Sequence, residues 1–243
     1  MIHTEDKSIV LGHPSYVWRR GQDRRLNLVL KHVDLNGKRV LDVGCGIGAY
    51  LGQFLRLTPR AYGVEIDMER LARARQQAPG VLQAVAEALP FRAGTFDMVF
   101  LHEVLEHVQD DAQALREACR VLRQGGRIVV YVPNRLYPME THGFYLGQRY
   151  IFRLAPLVNY LPDPIRRRLV PHARCYLARD LRRLMRGLPV RAVYRGYVYP
   201  GFDSIGARRP WLAGLLRGIT YALERTPLRA FGLSHLLVVE KIA

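Results

Sequence analysis

Short apolar runs alternate with stretches of helical periodicity through most of this chain. "GKRVLDVG" reads as a buried strand and "YLGQFLRL" behind it as a helix. "RAYGVEID" repeats the strand signal and "MERLARARQQ" the helix signal, with Asp67 placed to cap that helix. "VLQAV" and "FDMVFL" add two strands. "DAQALREACRVLRQGG" predicts an amphipathic helix from Asp111 to the pair Gly125 and Gly126, and "RIVVYVPN" a fifth strand. Ahead of this series, Tyr16, Trp18, Leu26, Leu28, Leu30 and Val33 punctuate a polar leader that reads as helical from Pro14 onwards.

The rhythm breaks after Asn134. A segment rich in Pro, Arg and aromatic residues intervenes before helix "ARDLRRLM" and strand "VRAVYRGYV" resume it. A second basic, apolar stretch follows, in which Trp211, Leu212, Leu215, Leu216, Ile219, Ala222 and Leu223 share one helical face, and "HLLVVEKI" is the last strand. Strands alternating with helices predict an α/β fold with a largely parallel sheet covered on both faces. The expected organisation is a single domain over 1–243: a leader over 1–36, a core over 37–134, and a cap from insertions over 135–175 and 203–230.

Composition adds one unusual fact. The 243 residues carry a formal net charge of +16, although 49% hydrophobic and 24% charged residues describe an ordinary folded protein. Arginine dominates the late part of the chain, so anionic partners are expected, with a merely solvated basic face as the bland alternative. "MIHTEDKSIV" lacks the basic and apolar regions of a secretory signal, and no apolar run reaches the roughly 18 residues of a spanning helix. Three scattered cysteines, Cys45, Cys119 and Cys175, suit a reducing cytoplasm.

The turn after the first strand, "VLDVGCGIGAY", brings a ligand against bare backbone. Gly44, Gly46 and Ala49 satisfy the dinucleotide fingerprint, and Glu65 follows at the ribose-binding distance. Asp42 argues against a pyrophosphate, because a carboxylate there would repel a diphosphate at the helix N-terminus. It suits a ligand with an ammonium group. A further glycine, Gly48, completes D-x-G-x-G-x-G.

That string resembles the first motif of the class I S-adenosylmethionine-dependent methyltransferases. "AVAEALPFRAGTFDMVF", "FDMVFLHEVLEHV" and "RVLRQGGRIVVYVPN" are similar to the motifs that follow it in that family. The resemblance implies a Rossmann-like, seven-stranded sheet and S-adenosylmethionine as cofactor. It implies that Asp42, Gly44, Cys45, Gly46 and Gly48 hold the methionine end. Glu65 and the adjoining Ile66 would meet the ribose, the carboxylate accepting from both hydroxyls. Where the family usually has an acid that bonds the adenine amino group, this chain has Val85, which leaves Ala86, Glu87 and Ala88 as the adenine contacts.

Glu103, Glu106 and His107 stand at helical i, i+3 and i+4 spacing near the carboxyl end of the fourth strand. Glu-x-x-Glu-His resembles the metal motif of the ubiquinone-pathway O-methyltransferases and of small-RNA 2′-O-methyltransferases, with His142 placed as the later histidine of the latter. The expected metal set is Glu103, Glu106, His107 and His142, holding Mg, Mn, Fe or Zn; alternatively, the segment is plain helix packing, with His107 or His142 as a general base. The expected activity is O-methylation of a small or amphipathic acceptor by a cytoplasmic protein in peripheral contact with anionic membrane. An RNA 2′-O-methyltransferase and a catalytically silent binding module are the alternatives.

Overall fold

The computed structural model describes residues 19–243; the leader positions Pro14, Tyr16 and Trp18 lie outside them. Helix α1 (Arg20–Leu30) precedes β1 (Val40–Val43), α2 (Ala49–Leu55), β2 (Ala61–Glu65), α3 (Met68–Gln77) and β3 (Val81–Gln83). Then come β4 (Phe96–His102), α4 (Asp111–Val121) and β5 (Leu122–Pro133). Asp67 caps α3, accepting from the amides of Glu69 at 3.1 Å and Arg70 at 3.0 Å. Such a cap satisfies donors that the first helical turn cannot.

With β10 (Val190–Val198) and β11 (Ser234–Lys241), these strands make one seven-stranded sheet in the order β10-β11-β5-β4-β1-β2-β3. β11 runs antiparallel between β5 and β10, while the inner pairs are parallel. The inner strands are apolar on both sides because both faces are covered. One face packs on α4 and on α6 (Ala178–Leu184), the other on α1, α2 and α3. From β1 the chain winds outward to β3, and from β4 it winds the other way. The crevice at the carboxyl ends of β1 and β4 is therefore the switch point where open α/β sheets take ligands.

The fourth helix is shorter than its sequence suggests. It starts at Asp111 as expected, capped by Asp110, whose Oδ1 accepts from Gln113 N at 2.8 Å, but it stops at Val121. Leu122 is fully buried and already pairs with Phe96 as the first residue of β5. The register then slips before Arg127 meets Met98. Gly125 sits at φ +73°, and a Cβ on Gly126 would come 2.9 Å from the Asp97 carbonyl oxygen. The glycine pair thus forms a bulge within the strand and not a helix end.

The segment after Asn134 folds as two small antiparallel pairs, β6 (Met139–Glu140) with β9 (Ala155–Pro156) and β7 (Phe144–Leu146) with β8 (Arg149–Ile151), followed by α5 (Asp163–Leu169). The later stretch forms α7 (Asp203–Arg208) and α8 (Pro210–Leu223), held to α1 by an Arg24–Glu224 ion pair and by Arg24 lying 3.8 Å over the Tyr221 ring. The face predicted on α8 does not turn inward as a unit. Trp211, Leu215 and Ile219 are more than half exposed, whereas Leu212, Leu216 and Leu223 are half-buried. Among the described residues no helix is long and apolar enough to cross a membrane.

Candidate active site

β1 feeds the glycine turn, and all three of its glycines take left-handed backbone: Gly44 at φ +66°, Gly46 at +58° and Gly48 at +87°. Gly44 also lies under Val104, whose Cγ2 would be 2.6 Å from a Cβ there. A side chain would strain the backbone at each position. Glu65, at the end of β2, pins this turn. Its Oε2 accepts from Gly46 N at 2.8 Å, and its Oε1 from Ile66 N at 2.9 Å and Asp67 N at 3.0 Å. Three of about four carboxylate lone-pair positions are taken by backbone, which leaves one to accept from a single ribose hydroxyl rather than from both.

A cavity of about 500 Å³ opens at the switch point. Of the residues expected to hold a cofactor, Gly44, Glu65, Ile66, Ala86 and Glu87 line it. Asp42, Cys45, Gly46, Gly48 and Ala88 are not on its wall. The Ala88 amide is spent on the Val85 carbonyl at 3.2 Å. The Glu87 carboxylate accepts from Gln109 N at 2.8 Å, so it holds the loop before α4. Cys45 is buried with its thiol pushed up by that burial, which leaves it unreactive. Sequence reasoning missed Arg70, Gln109 and Gln113, polar residues that also line the cavity and carry no motif of their own.

Asp42 lies beneath the turn, almost fully buried, and its Oδ2 has no hydrogen-bond partner among the described residues. Burial, then the nearby Glu65 carboxylate, raises its pKa well above the usual range, partly offset by the Leu51 amide. A buried, orphaned carboxylate calls for a cation or a proton.

Glu103, Glu106 and His107 do not lie on a helix. They occupy a series of turns closed by a hydrogen bond from His107 N to the Val104 carbonyl at 2.9 Å, and Glu103 itself takes φ +56°. Glu103 is engaged by a different partner. Its Oε1 accepts from Arg25 Nη1 at 2.8 Å, and Arg25 also donates to Ser234 Oγ at 3.0 Å and lies 2.8 Å from His102 Nε2. The side chain stays 42% exposed; the desolvation it does undergo raises the carboxyl, and Arg25 outweighs this to hold it down at about 2.

What the structure does assemble is Glu106, His107 and His142, with one potential ligand atom from each within 4.8 Å of the others. Glu106 is buried, and neither of its oxygens has a hydrogen-bond partner among the described residues. Burial pushes its carboxyl up to about 8, against the pull of His142. His107 Nδ1 lies 3.1 Å from the His172 carbonyl, an acceptor only, so Nδ1 carries the hydrogen and Nε2 is bare. His107 lines the cavity, while Glu106 and His142 stand behind it.

Residues 41–130 match the methyltransferase domain family. Over 139 residues the chain is 34% identical to a ubiquinone biosynthesis O-methyltransferase of Xanthomonas oryzae pv. oryzae, an alignment covering 54% of this chain and 58% of that relative. The namesake from Sodalis glossinidius is 34% identical over 140 residues, covering 54% of this chain and 56% of its own length. Similar folds include an S-adenosylmethionine-dependent methyltransferase from Mesorhizobium loti, with TM-score 0.59 and 21% identity over 89% of this chain and 96% of the other. They also include the [4+2]-cyclase SpnF, with TM-score 0.58 and 20% identity over 95% and 85%. One fold thus carries two reaction classes, and the reaction has to be argued from the site.

Proposed function

We propose that this chain, whose residues 41–130 match the methyltransferase domain family, transfers a methyl group from S-adenosylmethionine to a hydroxyl oxygen of an amphipathic acceptor. When bound, S-adenosylmethionine supplies a methyl carbon on a sulfonium whose displacement leaves a neutral thioether. The residues present fit that cofactor. The unpartnered Asp42 Oδ2 beneath the turn complements an ammonium group, Glu65 keeps one lone-pair position for a ribose hydroxyl, and Glu65, Ala86 and Glu87 border one cavity. A dinucleotide would instead bring its diphosphate against Asp42.

One observation carries the oxygen chemistry: a buried, unpartnered Glu106 facing two imidazoles beside the cofactor cavity. An acceptor hydroxyl must lose its proton as the oxygen–carbon bond forms, and a proton acceptor is needed within reach. His107 stands on the cavity wall with Nε2 bare, and His142 lies behind it. The same three residues fit a divalent ion such as Mg²⁺, Mn²⁺, Fe²⁺ or Zn²⁺, which would lower the pKa of a hydroxyl bound to it. Glu103 falls outside that set because Arg25 holds it.

The relatives named for ubiquinone biosynthesis support a hydroxylated ring with an apolar tail as acceptor. The exposed Trp211, Leu215 and Ile219 of α8, bracketed by Arg208, Arg209 and Arg225, support peripheral contact with an anionic lipid surface on the cytoplasmic side. The test is transfer of labelled methyl to catechols with and without an alkyl tail. Turnover is expected with the tailed catechol, abolished by a chelator and restored by Mn²⁺ or Zn²⁺. Transfer to none of these acceptors would contradict the reading, and turnover untouched by a chelator would remove the ion and leave His107 as the base.

A further inference from the structure

His142 reaches the site from the insertion after β5 and not from a strand end. What holds it there is a carboxylate no motif singled out. Glu140, the last residue of β6, is 2% exposed. Its Oε1 accepts from His142 Nδ1 at 2.9 Å and from the backbone amides of Thr141 at 2.8 Å and His142 at 2.9 Å. Its Oε2 accepts from Arg166 Nη2 at 2.7 Å.

Arg166 of α5 is 4% exposed and equally committed. Nη1 donates to the Ala173 carbonyl at 2.9 Å and Nε to Asn159 Oδ1 at 3.2 Å. Asn159 in turn donates to the carbonyls of Tyr137 and Met139, both at 3.2 Å. The pair therefore ties the whole insertion together around His142.

An ordinary structural ion pair would stop there. This one also decides the chemistry of the imidazole. An ionised carboxylate only accepts, so Nδ1 carries the hydrogen, and in the neutral ring Nε2 is the nitrogen left with a lone pair, 4.0 Å from Glu106 Oε1. The His142 amide is held by Glu140, and its carbonyl accepts from Tyr150 Oη at 2.6 Å and from His172 Nε2 at 3.0 Å. Every polar group of His142 except Nε2 has a protein partner. Such outer partners fix ring orientation and ligand basicity at metal centres.

We propose that Glu140, anchored by Arg166, is a positioning residue that sets the tautomer and direction of His142 for cation binding with Glu106 and His107. The proposal rests on the metal reading above, and its test keeps the two apart. Metal-free protein is titrated with Co²⁺ and Mn²⁺, following cobalt absorption and calorimetric affinity in wild type, Glu140→Gln, Glu140→Asp and His142→Ala. Binding of S-adenosylhomocysteine and near-ultraviolet circular dichroism report that the fold is intact.

Wild type is expected to bind the ion. Glu140→Gln is expected to weaken it by about 10–100-fold. Glu140→Asp, which keeps the charge but shortens the reach, should also weaken it and serves if the glutamine variant does not fold. Nitrogen-15 shifts should show His142 protonated at Nδ1 in wild type and mixed in Glu140→Gln. Wild-type cobalt spectra and affinity in both folded variants would overturn the positioning role while leaving the metal site standing. No ion binding by wild type would overturn the metal reading and this proposal together.

Discussion

The guanidinium of Arg25 reaches from α1 to the carboxylate of Glu103 at the end of β4, with Nη1 2.8 Å from Oε1. This contact ties α1 to the cavity wall through Glu103 and occupies the carboxylate, while Glu106, His107 and His142 form the cluster beside it. Arg25→Ala should lower stability by about 1–3 kcal/mol, since several hydrogen bonds from a buried charge are lost. The 42% exposure of the Glu103 side chain keeps the effect toward the low end. The pH dependence follows from the depressed Glu103 value of about 2. Its contribution is present above the unfolded carboxylate pKa and is lost as pH falls through about 2, so the gap in Tm between wild type and variant should narrow below pH 4. A gap that is constant down to pH 2 would refute the pairing.

Glu106 gives the opposite sign. Its folded pKa of about 8 lies above the unfolded value, so the metal-free folded state holds a proton that the unfolded state releases. That contribution is complete below the unfolded pKa and disappears as pH rises through about 8. In the presence of a chelator, wild-type Tm should fall relative to Glu106→Gln between pH 5 and pH 9, each kcal/mol amounting to about 2–4 °C. Adding Zn²⁺ at pH 8 should restore wild type and leave the variant behind. Parallel melting curves across the range would show that Glu106 is not a buried acid.

The exposed stripe on α8 predicts a binding difference without a folding difference. Leu215→Asp combined with Trp211→Ala should leave Tm nearly unchanged, because surface substitutions usually stay within about 0.5 kcal/mol. It should sharply reduce sedimentation with anionic vesicles. Wild type should bind those vesicles at low ionic strength and ignore neutral ones. If wild type binds RNA and not vesicles, the basic surface serves a different partner.

The sheet was legible because its strands are apolar runs set between helical periods, and the tight turn after β1 because its glycines take left-handed backbone that other residues adopt only under strain. The cluster of Glu106, His107 and His142 was only half legible. Helical spacing put Glu103 with Glu106 and His107, but the left-handed backbone at Glu103 breaks that face, and its partner Arg25 is 78 residues away in sequence. Glu140 was silent for a related reason: its importance comes from Arg166, 26 residues on, across an insertion without regular periodicity. The glycine pair at Gly125 and Gly126 misled because a strand bulge and a helix end use the same residue.

The account turns on S-adenosylmethionine as the ligand of the glycine turn, and calorimetric titration tests this most directly. S-adenosylmethionine and S-adenosylhomocysteine should bind wild type in the micromolar range, with NAD and ATP giving no heat. Glu65→Ala should weaken binding by about 1–3 kcal/mol. Gly46→Val should weaken it by roughly tenfold or more, because a β-branched residue is strained at φ +58° although nothing lies within 4 Å of the added Cβ. Tight NAD binding, or wild-type affinity for S-adenosylmethionine in Gly46→Val, would contradict the account.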